Sequence, residues 1–202
     1  ARPLTGAHRI SAAPRPAAGA EQLADNPYQS AHARRMAYGS AGFYGGDLSV
    51  IRQFGLAIYF SGDHAAGSPV LRAASCAWLL SRCSEAAEQQ ERLSFAPGMA
   101  IGVSELGRGD SEDIYPGLYT QATLDDLLEL ANQDLDGILL SARAAEDGGL
   151  TARIGIDVID EQWMALGDIS GGHLDLLERQ LHILQRVIAP SDHDTPQGFL
   201  PF

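Results

Sequence analysis

DLSVIRQFGLAIYF, residues 47–60, is the stretch on which the fold class turns. At helical period Asp47 caps the segment, and Leu48, Ile51, Gly55, Ile58 and Tyr59 share one face. The run from Phe54 to Phe60 also suits a strand buried on both sides of a sheet. The pattern extends back to Leu48, so the helix is the reading adopted.

Further along the chain the same periodicity recurs. Ser68-Pro69 reads as an N-cap followed by proline at the first helical position, where the missing N–H costs nothing. The helix it opens extends to about Leu93, with Val70, Ala73, Ala77, Leu80 and Ala87 as a small-residue stripe. Thr123 caps a second helix reaching Ala145, whose apolar face holds Leu124, Leu127, Leu128, Ala131, Leu135, Ile138 and Leu139. A third spans His173 to Ile188, with Leu174, Leu177, Leu181, Leu184 and Ile188 inward. Residues 150–167 fit both periods: Ile154, Ile156 and Val158 alternate, while Ala152, Ile156, Ile159, Trp163 and Leu166 step as in a helix. The helical reading is taken there too. The expected fold is mainly α, a compact bundle of about five helices with at most a short β-hairpin. It becomes α+β if 99–103 pairs with 151–159.

Residues 1–26 are rich in Ala, Pro, Gly and Arg, with no acid before Glu21. They lack a hydrophobic period, so residues 1–40 are expected to form a flexible basic arm. Residues 41–189 follow as a single helical domain and 190–202 as an irregular tail. The chain starts at Ala1, which is compatible with a leader already removed.

Charge is divided unevenly along the 202 residues, whose formal net charge is −12. Residues 1–40 hold five arginines against Glu21 and Asp25; residues 41–202 hold nine against 24 acids. All fourteen basic residues are arginine, so lysine Schiff-base chemistry and a P-loop lysine are excluded. The acidic body argues against phosphate-backbone binding and favours a basic partner. No apolar run approaches the roughly 18–20 residues of a membrane span. Cys76 and Cys83 lie seven residues apart on one expected helix, about 10 Å, too far for a disulfide.

Local constellations are sparse. Asp63-His64 sits in the turn before the Ser-Pro cap, where an imidazole beside a carboxylate suits a general base, and Cys76 is the nearest nucleophile. Asn132, Asp134, Asp136 and Gly137 imitate the start of a calcium loop, but its twelfth position is Arg143, which cannot ligate a cation. Asp192, His193 and Asp194 are adjacent residues of the tail and make no specific metal site. No metal site and no cofactor are expected.

Three functions are weighed. The leading one is a non-catalytic acidic interaction protein: an adaptor, chaperone, inhibitor or nucleic-acid-mimicking blocker. It would bind a basic protein partner through Glu105, Asp110, Glu112, Asp113, Asp125, Asp126 and Glu129. The second is a small lysine-free bacterial effector, a hydrolase or transferase using Asp63, His64 and Cys76. The third is an oligomeric structural subunit of a phage or secretion assembly, docking through Phe199-Leu200-Pro201-Phe202. No direct nucleic-acid contact and no membrane are expected; the location is cytoplasmic, or inside a host cell after delivery.

Overall fold

Ala57, Ile58, Tyr59 and Phe60 are all buried. Four consecutive buried residues suit an inner strand of a covered sheet better than an amphipathic helix. In the computed structural model, which describes residues 7–14, 27–51, 55–62, 64–89, 97–104, 127, 129, 137–159 and 164–188, this segment is β3 (Gly55–Phe60). It runs antiparallel to β2 (Asp47–Ile51), with Asp47 opposite Tyr59 and Ile51 opposite Gly55. The helix expected over 48–60 is therefore a β-hairpin.

Among the described residues, the sheet has seven strands in the order β2-β3-β1-β4-β5-β7-β6. An interior strand, β1 (Ala7–Pro14), third in that order, comes from the segment expected to be a flexible arm. β1 is antiparallel to β3 on one side and to β4 (Pro97–Ser104) on the other. Pro14 faces Pro97 at the end of that ladder, where neither missing N–H interrupts the interior. β5 (Ile138–Leu140) lies parallel to β4. β6 (Ile154–Val158) and β7 (Met164–Ile169) form an antiparallel hairpin that joins through β7 to β5.

The mainly-α bundle is thus replaced by an α+β fold. The pairing that was to signal this, 99–103 with 151–159, does not occur directly: β5 and β7 separate the two strands. The long helix expected through Ala145 also fails. At Gly137 φ is +97°, and Ile138, Leu139 and Leu140 then run as a buried strand. A left-handed residue ends a helix, and glycine enters that region without a Cβ penalty.

Helices cover one face. α1 (Pro27–Gly42), α2 (Pro69–Gln89) and α5 (Gly171–Ile188) pack on one another, with α2 against β1, β3 and β4. Two single-turn helices, α3 (Ala142–Ala145) and α4 (Gly148–Thr151), connect β5 to β6. Ile58, Phe60, Met99, Ile101, Ile138 and Leu140 meet the helices in one core. Ala57, Tyr59, Ala100, Leu139 and Ala165 are buried but stand outside that core, on the other face of the sheet.

α2 begins where the sequence places it. The Leu71 N–H donates to Ser68 Oγ at 3.2 Å, and Ser68 Oγ donates to Asp147 Oδ1 at 2.7 Å. Asp147 in turn caps α4 by accepting from the Leu150 N–H at 2.8 Å. One serine therefore starts α2 and ties it to the β5–β6 connection. Val70, Leu71, Ala73, Ala74, Cys76, Ala77 and Leu79 are all at most 1% exposed, so α2 is buried around most of its circumference.

Gly46 lies between α1 and β2 against this core. A Cβ there would stand 2.6 Å from the Phe60 ring and 2.7 Å from the Ile58 side chain. Gly46→Ala is expected to overpack the core and cost about 1–3 kcal/mol, read as a lower urea midpoint at unchanged slope.

Candidate functional site

The three residues singled out for catalysis do not form a reaction centre. Asp63 lies outside the described residues. His64 is exposed, and its Nδ1 accepts from the Ala66 N–H at 3.1 Å. Cys76 is 0% exposed, and burial pushes its thiol far above the ordinary value, which removes the thiolate a nucleophile needs. Cys83 is also buried, its thiol pushed up to about 11 by desolvation. Neither cysteine is expected to react with an aromatic disulfide reagent until the chain is unfolded.

Of the proposed partner-binding acids, Glu105, Asp110, Glu112, Asp113, Asp125 and Asp126 lie outside the described residues. Glu129 is described and exposed.

The polar chemistry that the structure does assemble lies elsewhere. Arg72, on the first turn of α2, is 1% exposed. Its Nη1 donates to the Tyr44 carbonyl at 3.1 Å, and its Nη2 donates to the carbonyls of Ser61 at 3.0 Å and Gly62 at 2.8 Å. The guanidinium also lies 5.8 Å from the centre of the Phe60 ring. One cation thus gathers the end of α1, the end of β3 and the turn holding His64.

A second cluster seals the helices to one another. Ser75 Oγ donates to the Leu71 carbonyl at 2.8 Å and stands 3.0 Å from His173 Nε2. Which of the two donates depends on the imidazole tautomer: with the serine proton directed at Leu71, an Nε2–H of His173 completes the contact. The Tyr44 hydroxyl donates to Gln180 Oε1 beside it. Desolvation pushes the Tyr44 phenol up to about 12, so it is a permanent donor. These residues were missed in the sequence because Ser75 and His173 lie 98 positions apart. The only local signal was Arg72 and Ser75 interrupting the apolar run Val70 to Leu80.

Burial, followed by the nearby Arg153 charge, holds His173 below its ordinary value. In the unfolded chain the ring takes its proton near pH 6.5, in the folded chain only at lower pH. The unfolded state thus binds more protons between those two values, so stability is complete above about pH 6.5 and falls as pH drops toward the folded value. Denaturant midpoints taken from about pH 8 to about pH 5 should show this slope, and His173→Gln should flatten it.

Carboxylates are absent from the middle of the sheet. β1, β3, β4 and β5 contain no Asp or Glu, and among strands the acids are Asp47 on β2, Asp157 on β6 and Asp168 on β7. Among the described residues, no three His, Cys, Asp or Glu side chains stand close enough to hold a metal ion. No helix of the described residues is long and apolar enough to cross a membrane.

No protein-family model matches the sequence, and no curated protein matches it. Solved structures do match the fold. The guanylyl cyclase Cya2 is 14% identical, with a TM-score of 0.55, over 83% of this chain and 96% of that one. The adenylyl cyclase CyaB from P. aeruginosa is 12% identical, with a TM-score of 0.56 over the same shares. The guanylyl cyclase domain of the RhoGC fusion protein from the aquatic fungus Blastocladiella emersonii is 10% identical, with a TM-score of 0.59, over 83% of this chain and 97% of that domain. The architecture is that of nucleotide cyclase domains. The interaction-protein reading rested on a helical body with a carboxylate coat, and it falls with that body. The effector reading loses its proposed reaction centre, since Cys76 is buried and His64 exposed, and the Phe199-Leu200-Pro201-Phe202 tail of the structural-subunit reading lies outside the described residues.

Proposed function

We propose that this chain is a nucleotide-handling domain of the cyclase type, taking a purine nucleoside triphosphate and working beside a second domain of the same fold. The observation that carries this reading is the extent of the likeness: it spans 96–97% of three cyclase chains, not one shared motif. Fold alone does not fix chemistry, so the substrate class comes from what those neighbours are named for. The reaction that name describes is attack by the ribose 3′-hydroxyl on the α-phosphate, with pyrophosphate leaving. A nucleoside triphosphate as ligand would suit a cytoplasmic domain.

Thermal unfolding with ATP, GTP or CTP at millimolar concentration tests the reading. A ligand that binds only the folded state stabilises it by about 2.7 kcal/mol at a hundred times its Kd. ATP or GTP should raise the midpoint and CTP should not. No shift with either purine nucleotide removes the proposal. Pairing is read separately by light scattering, where the mass should rise toward two chains with concentration.

A further inference from the structure

Chemistry on a triphosphate is ordinarily served by a divalent cation held through carboxylates, which neutralises phosphate charge and orients the reacting oxygens. The donor set of this sheet does not fit such an ion. The sequence has no acid before Glu21 and none between Asp47 and Asp63, which leaves β1, residues 52–54 and all of β3 without a carboxylate. β4 and β5 add none. The one arginine on these four strands is Arg9, in register with Tyr59 on β3 and Gly102 on β4, and its charge repels a cation.

Asp47 stands apart from the other two strand acids, Asp157 and Asp168, which lie on the paired strands β6 and β7 at the opposite end of the sheet. Asp47 is on the edge strand β2 and Asp168 on β7, five strand spacings away. At about 4.8 Å per strand that is about 24 Å, whereas paired catalytic metals sit about 4 Å apart. Asp157 is on β6, beyond β7, and its carboxylate closes over Gly167, where a Cβ would stand 2.7 Å from Oδ1.

We infer that the described strands of this chain hold no divalent cation, and that pairing two identical copies does not create such a site on them. The inference rests on the nucleotide reading for its context but not for its test. A second copy brings the same acid-free strands. Cyclisation by the usual metal-assisted route then requires carboxylates from outside the described strands.

The test is Mn2+ titration of the full chain without nucleotide, followed by electron paramagnetic resonance, beside calorimetric binding of ATP and GTP in Mg2+ and in EDTA. The Mn2+ signal should keep its free-ion amplitude, and the chosen nucleotide should bind no more than about twofold tighter with Mg2+ than with EDTA. Stoichiometric loss of Mn2+ signal, abolished by Asp47→Asn or Asp63→Asn, overturns the inference. If Mn2+ stays free and neither nucleotide binds, the nucleotide reading is lost and the cation inference stands. If Mn2+ is bound and nucleotide binds only with it, the inference is lost and the nucleotide reading stands.

Discussion

Replacing Arg72 with alanine is expected to lower the unfolding free energy by about 3–5 kcal/mol, one of the largest single-site effects in this chain. The guanidinium serves three carbonyl acceptors, those of Tyr44, Ser61 and Gly62, from a position 1% exposed to solvent. Truncation leaves those acceptors short of a donor, each worth about 1–3 kcal/mol where water cannot replace it, and opens a cavity beside Phe60. Arg72→Lys should recover only part of the loss. A point-like ammonium cannot reach three carbonyls in the fixed fork of a guanidinium, nor lie over the Phe60 ring as it does. Urea denaturation at constant slope checks both variants. A loss under about 1 kcal/mol for Arg72→Ala would mean that the turn at 61–62 relaxes into water without its anchor.

How far the sequence disclosed this fold depends on where burial is one-sided. α5 exposes one flank and buries Leu177, Leu184 and Ile188, so its helical period survives in the sequence. The Ser68-Pro69 start of α2 is legible because a cap and a first-turn proline act locally. β3 is not, because both its faces are covered and no alternation remains to separate a strand from a helix. β5 is three residues long, and Ile138 and Leu139 happen to extend the spacing of the segment before them. The one local signal against that helix was Gly137.

The candidate site divides in the same way. The Ser75–His173 contact depends on α5 crossing α2, which no spacing reveals. The distribution of acids, by contrast, could be read from the sequence from the start. The acid-free stretch before Glu21 reads as a flexible basic arm, and only the strand order reveals that Ala7–Pro14 within it is an interior strand of the sheet.

That placement makes the second large effect a deletion. Removing residues 1–14 is expected to abolish cooperative folding, whereas removing a flexible arm would leave stability unchanged. Ala7 to Pro14 lies opposite Ser104 to Pro97, and His8 to Ala12 lies opposite Phe60 to Leu56, so β1 alone joins the β2–β3 hairpin to the rest of the sheet. Without it, β3 and β4 each present an open edge at the centre of the fold, and the backbone donors and acceptors there lose their partners. The segment brings little apolar bulk of its own, with Ile10 its largest aliphatic side chain. Its contribution therefore lies chiefly in the two ladders, which explains why hydropathy did not mark it. Circular dichroism with size-exclusion chromatography separates the alternatives. A truncated chain that elutes as a monomer and melts within a few degrees of the full chain would show that β1 is dispensable. Aggregation through the exposed edges, or loss of the thermal transition, would place it at the structural centre.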